Sequence, residues 1–193
     1  MTKPAIATLS SPQDRAFEAA RQSALVVGAT LFVALCAHIT IPLPFTPVPL
    51  TAQNFGVLLV GLLLGSRRGF AALVLYLAEG AMGLPVFSPS ALGLTGIAQI
   101  LGPTGGYLMA YPLVAGLAGF IFERRTRNFL RAAISGVAAE ILLFAAGVTW
   151  LYVFTHSLAK AAFLGLYWFL AAEVMKVLFA AAIAVRWQRS RNA

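Results

Sequence analysis

The sequence predicts an all-α integral membrane protein with six transmembrane helices and both termini in the cytoplasm, on three observations. Of 193 residues, 60% are hydrophobic and 10% charged, and the mean hydropathy is +0.86, which leaves too little polar surface for a soluble domain. The apolar residues gather into runs near the ~17–25 residues needed to cross a hydrocarbon core. The basic residues fall between alternate runs, so that nearly all of them share one side.

The elements follow in order. Residues 1–22 are polar, with Lys3, Asp14, Arg15, Glu18 and Arg21, and read as a cytoplasmic N-terminal segment. The apolar run beginning near Ser23 is too long for a signal-peptide core and lacks a convincing small-residue cleavage site, so it is a retained first helix over 23–40. Within it, Val33-Ala34-Leu35-Cys36 is a poor match to a lipoprotein processing box, because leucine directly precedes the cysteine. As the single cysteine, Cys36 allows neither an intramolecular disulfide nor a cysteine-based metal cluster. Further helices are predicted over 50–66, 69–85, 105–122, 131–155 and 161–186. The second is short and the third is interrupted by Gly80 and Gly83 before Pro85, so either is tilted, broken or shielded by protein. This gives a membrane domain over 23–186 and a cytoplasmic tail over 187–193.

The net charge of +8 would suggest nucleic acid in a soluble protein, but here the placement of charge excludes that reading. Lys3, Arg15 and Arg21 precede the first helix. Arg67 and Arg68 lie between the second and third. Arg124, Arg125, Arg127 and Arg131 lie between the fourth and fifth, and Arg186, Arg189 and Arg191 end the sixth. These twelve of the fourteen Lys and Arg residues sit on one face, which the positive-inside rule places in the cytoplasm.

The opposite face carries two unusual loops. Ile41-Pro42-Leu43-Pro44-Phe45-Thr46-Pro47-Val48-Pro49 is stiff and extended and cannot join a helix. Val86 to Thr104 is uncharged and rich in Leu, Ile, Gly and Ser, so it folds down onto the protein. Both are either passive connectors or a cover over a ligand, and their apolar character on a common face favours the cover.

Glu79, Glu140, Glu173 and Lys176 lie inside predicted helices, at roughly 13–20 Å from the cytoplasmic arginines at a rise of ~1.5 Å per residue. A charge at such depth costs at least ~2.5–3.5 kcal/mol unless paired or hydrated. Glu173 and Lys176, three residues apart, share a helix face and either neutralise each other or, with the acids at similar depth, form part of a polar cavity. Glu79 stands beside Gly80, where backbone can be approached closely. Glu140, nearest the cytoplasm, reads as a protonated carboxyl packed between helices. Thr51, Gln53 and Asn54 at the outer end of the second helix, with Gln99, Thr104 and Tyr107 near the fourth, would line the mouth of an outward pocket or serve as interfacial and capping groups. Trp150, Tyr152, Tyr167 and Trp168 are placed as belt aromatics or as stacking surfaces for a ring-shaped ligand. Small residues form stripes at Ala20, Ala24 and Gly28 and at Gly61 and Gly65, which permit close helix packing or, for the first stripe, a partner interface.

Some chemistry has no residues to rest on. The sequence contains no G-x-x-x-x-G-K-[ST] loop, so the chain cannot energise transport with ATP by itself. It contains no H-E-x-x-H, and His38 and His156 stand alone, so neither a metal nor any other cofactor is expected and an enzyme is disfavoured. On the residues alone, three buried acids against one base suit a proton- or cation-coupled carrier of a small solute.

Ile41-Pro-Leu-Pro-Phe-Thr-Pro-Val-Pro-Leu-Thr-Ala-Gln-Asn54, Gly61-Leu-Leu-Leu-Gly-Ser66, Gly83-Leu-Pro-Val-Phe87 and Gly102-Pro-Thr-Gly-Gly-Tyr107 together closely resemble the BioY family. These are the biotin-specific substrate-binding (S) components of energy-coupling factor (ECF) transporters. The resemblance spans most of the chain. It implies a six-helix protein in membrane lipid that captures biotin from outside, beneath the outer loops, and works with a transmembrane coupling subunit and two cytoplasmic ATPase subunits. It also implies that an acid and a lysine three residues later in the last helix contact biotin, which here are Glu173 and Lys176. The family's usual acid is aspartate, commonly after glycine, where this chain has Ala171-Ala172-Glu173. Ala20-x-x-x-Ala24 resembles the small-residue motif that docks the coupling subunit. For such a ligand, an acid and an ammonium would satisfy the N–H and carbonyl groups of the ureido ring. Phe45, Val86, Phe87, Tyr107 and Trp168 would supply apolar walls, and Gln53, Asn54, Thr104 or loop amides would hold the carboxylate.

Overall fold

The computed structural model describes residues 12–124 and 127–192; Lys3 and Arg125 of the charge pattern lie outside the described residues. The chain runs through α1 (Pro12–His38), β1 (Thr40–Ile41), β2 (Leu50–Thr51), α2 (Gln53–Leu64), α3 (Ser66–Ala81), α4 (Gly96–Leu101), α5 (Gly105–Glu123), α6 (Phe129–Thr155), α7 (Leu158–Ala162), one π-helical turn (Phe163–Tyr167) and α8 (Leu170–Asn192).

Three helices, Gln13–His38, Gly105–Glu123 and Phe129–Thr155, are long and apolar enough to cross a membrane. Leu158–Tyr167 with Leu170–Arg191 forms a fourth such unit, bent by 45°. The 12 residues of α2 reach only ~18 Å at the helical rise, well short of a ~30 Å core, and α3 has 16 residues. Large apolar side chains such as Leu31, Leu35, Val137 and Ile141 face outward, the surface expected against lipid rather than water.

Several boundaries differ from the sequence expectation, for local reasons. The first helix begins at Pro12, so the polar residues from Asp14 to Arg21 are helical, with Arg21 paired to Glu18 at 3.1 Å. The proline segment closes a short antiparallel pair, with Thr40 opposite Thr51 and Ile41 opposite Leu50; this pairing takes residues 50 and 51 out of the predicted second helix. The loop of 86–104 contains α4. The predicted last helix is interrupted by the π-turn and resumes at Leu170, running on to Asn192 past the predicted helix end at 186.

The centre of the fold is α5, packed against α2, α3 and α6. A Cβ on Gly61 would lie 2.4 Å from the Ala115 carbonyl oxygen, and one on Gly119 2.4 Å from the Ser66 nitrogen, so these backbones meet where only hydrogen fits. Gly65 turns α2 into α3 at φ +85°, a conformation that favours glycine. Glu123, at the end of α5, accepts hydrogen bonds from the Ser66 N–H (3.2 Å) and hydroxyl (3.0 Å), placing a carboxylate at the N-terminus of α3. The Gly61–Gly65 stripe is thus spent on internal packing. Ala20, Ala24 and Gly28 lie on the exposed side of α1, and nothing approaches within 4 Å of where a Gly28 Cβ would be.

Candidate functional site

The first turn of α2 delivers the buried Gln53 and Asn54. The Asn54 side-chain nitrogen donates to Glu140 Oε1 on α6 and to Glu173 Oε2 on α8, both at 2.6 Å. Lys176 Nζ donates to the other Glu173 oxygen at 2.6 Å, as the three-residue spacing permits. Two carboxyl groups, one amide and one ammonium from three helices therefore form a continuous network. Both Asn54 Nδ2 hydrogens are consumed, and Asn54 Oδ1 and Glu140 Oε2 have no hydrogen-bond partner.

Above this network is a narrow pocket that opens toward solvent. Its polar lining includes Thr51, Gln53, Asn54, Ser88, Thr104, Glu173 and Lys176, and its apolar and aromatic lining includes Val48, Tyr107, Tyr111, Leu143, Phe144 and Phe169. Lys176 keeps unused N–H donors, and Asn54 Oδ1, itself buried, keeps an unused acceptor, so the network under the pocket retains hydrogen-bonding groups of both polarities.

The proline loop and the start of α5 are both fastened to carbonyls of the π-turn beside the pocket. The Thr46 hydroxyl donates to the Leu164 carbonyl at 2.7 Å and accepts from the Val48 N–H at 3.2 Å. The Tyr107 hydroxyl donates to the Gly165 carbonyl at 2.8 Å. A π-turn shifts the regular hydrogen-bond ladder and is often found at functional positions; here it offers carbonyls to two other segments. Tyr107 reaches that point because Gly147 leaves room for its ring: a Cβ there would lie 2.0 Å from Tyr107 Cε1. Trp150 is a structural post, its indole N–H donating to the Gly102 carbonyl at 2.9 Å, with Gly106 leaving room for its Cβ.

Of the residues expected at the site, Gln53, Asn54, Thr104, Tyr107, Glu173 and Lys176 line this pocket; Glu79, Phe45 and Phe87 do not. Glu79 lies between α1 and α3, accepting from the Thr30 hydroxyl at 3.1 Å. Phe45 turns away to pack on Trp168, with ring centroids 4.8 Å apart. Phe87 is buried against Gly80 and Tyr76 and fastens the second loop to α3. Val86 and Trp168 are likewise absent from the lining, as are Trp150, Tyr152 and Tyr167. Gln53 is partly committed, its amide donating to the Tyr76 hydroxyl at 2.7 Å, which in turn donates to the Val86 carbonyl at 2.6 Å. The sequence marks Glu140 as a buried acid packed between helices and not as a neighbour of the site, and it does not mark Phe144 and Tyr111 at all. The signal for Glu140 and Phe144 was available: Glu140, Leu143, Phe144 and Gly147 recur at helical spacing and share one face of α6.

Comparison with known proteins fits this geometry. The chain is 39% identical over 161 residues to the biotin transporter BioY of Thermotoga maritima, covering 83% of this chain and 91% of that one. It is 35% identical over 164 residues to the biotin transporter BioY of Rhizobium etli, covering 79% and 84%. Its fold is similar to a crystal structure of the S-component for biotin from an ECF-type ABC transporter, with a TM-score of 0.80 at 26% identity over 90% of this chain and 93% of that one. These relatives are transporters by name, and they do not favour a proton- or cation-coupled carrier. The BioY family match extends over residues 7–193, so the chain belongs to the BioY family.

Proposed function

We propose that this protein is the S component of an ECF-type ABC transporter, capturing biotin from the outer face of the cytoplasmic membrane for uptake into the cell. The observation that carries this reading is the Glu173–Lys176 pair, joined to Asn54 on the floor of a pocket that the proline loop and the π-turn cover. The ureido carbonyl accepts from Lys176 and a ureido N–H donates to Glu173, so that burial of the ring leaves few groups unpaired. The sulfur ring and valeryl chain lie against Tyr107, Tyr111, Leu143 and Phe144. The carboxylate faces Thr104 and the amides of the outer loops. Glu173 is one methylene longer than aspartate, so the ring sits correspondingly farther from α8.

Six crossings with both termini in the cytoplasm are supported by the basic residues, with the short α2 shielded by neighbouring helices. Ala20, Ala24 and Gly28, exposed and open, form the docking stripe for a transmembrane coupling subunit, which joins two cytoplasmic ATPase subunits. The test is uptake of radiolabelled biotin by cells lacking their own transporter, with this chain expressed together with a coupling subunit and ATPases. Uptake that collapses when the ATPases are inactivated supports the reading. Uptake that needs no ATPase and is abolished by a proton uncoupler contradicts it.

A further inference from the structure

Asn54 is buried and lines the pocket, yet its side-chain carbonyl has no partner. Its nitrogen is held from behind by Glu140 and Glu173 at 2.6 Å each. An amide can be turned over, exchanging donor for acceptor, and with Glu173 alone behind it the turn would forfeit one hydrogen bond. With both acids in place, the turned amide would forfeit two and set its oxygen against two carboxyl oxygens. Glu140 is itself buried and does not line this pocket; it borders a separate, apolar cavity between α6 and α8, and its link to this pocket is its hydrogen bond to Asn54.

The geometry points to Glu140 as a positioning residue that fixes the Asn54 amide with Oδ1 presented to the pocket, as the acceptor for one ring N–H of a bound cyclic urea. This rests on the biotin reading and adds a residue that acts without touching the ligand. Lys176 does not supply the missing donor, because its ammonium is drawn to the far oxygen of Glu173. A buried acceptor left unpaired is costly, and a site built around one rejects ligands that lack the matching donor.

The experiment compares biotin with its two cyclic carbamate analogues, in each of which a ring oxygen replaces one ureido N–H, by equilibrium binding to the purified protein. In wild type, the carbamate lacking the N–H that faces Asn54 is expected to bind about 30-fold more weakly than biotin. Glu140→Gln keeps an acceptor for Asn54 without the charge and preserves that ratio within about threefold. Glu140→Leu removes the acceptor and shrinks the ratio to under about fivefold. Asn54→Ala abolishes the same discrimination and supplies an independent check if Glu140→Leu is not recovered folded. The proposal is overturned if neither carbamate is rejected by wild type, if Glu140→Leu or Asn54→Ala discriminates as wild type does, or if Glu140→Gln fails as Glu140→Leu does. Absence of biotin binding by folded wild type would instead overturn the biotin reading and this inference with it.

Discussion

The seam of α2, α3 and α5 and the seam between the proline loop and the π-turn are both close contacts, but they are held by different physics. In the first, Gly61 and Gly119 let backbone meet backbone at distances no side chain can occupy, and Gly65 leaves room for the Glu123 carboxylate. In the second, the Thr46 hydroxyl of the loop reaches the Leu164 carbonyl and Phe45 packs on Trp168, while beside them the Tyr107 hydroxyl from α5 reaches the Gly165 carbonyl. The first has no alternative arrangement short of separating the helices. The second rests on a few replaceable contacts, its two hydrogen bonds, one part-buried and one buried, each of modest net worth, beside the pocket. A rigid scaffold with a loosely pinned cover is the physical content of that contrast.

Substitutions can break the contrast in graded steps. Gly61→Leu is expected to have the largest effect, destabilising the protein by about 3 kcal/mol or more through overpacking against the Ala115 carbonyl; detergent thermal unfolding reads this as a large drop in Tm or as loss of folded protein. Gly28→Ala, in open space, should leave Tm unchanged. Lys176→Ala should weaken biotin binding by ~1.5–3 kcal/mol, the worth of a charged hydrogen bond, without preventing membrane insertion; calorimetric titration checks it. Thr46→Val should cost about 1 kcal/mol at the loop seam and be read as faster biotin release, with Tm little changed. If Thr46→Val instead lowered Tm as much as Gly61→Leu, the cover would belong to the rigid scaffold and the contrast would fail. Among the binding variants, Phe45→Ala should have the smallest effect on biotin affinity, since its ring packs on Trp168 outside the pocket.

The all-helical character of the scaffold was legible in the sequence, because hydropathy runs are long-range patterns that do not depend on tertiary detail. α5 and α6 begin and end within two residues of the expected positions. The π-turn was not legible: Phe163–Tyr167 is apolar and helix-compatible, and what stabilises its unusual ladder is Thr46 and Tyr107, distant in sequence. At the site, Glu173 and Lys176 could be paired from their spacing, and polar residues at helix ends suggested Gln53, Asn54 and Thr104. The aromatic walls were harder. Phe45 and Phe87 were placed by loop position, yet each found an aromatic partner away from the pocket, Trp168 and Tyr76. Glu140 was legible as a buried acid but not as a neighbour of Glu173, because that depends on how α6 and α8 are rotated against α2.

The most direct test of the central claim, that biotin is bound at the Asn54–Glu173–Lys176 floor, is equilibrium binding of biotin to the purified protein in detergent, with Glu173→Ala and Glu79→Ala beside wild type. The account predicts tight binding by wild type, loss of at least about 10-fold in Glu173→Ala, and affinity within about threefold of wild type in Glu79→Ala, whose carboxylate lies outside the pocket. Equal losses in the two variants, or tight binding that survives in Glu173→Ala, would contradict it.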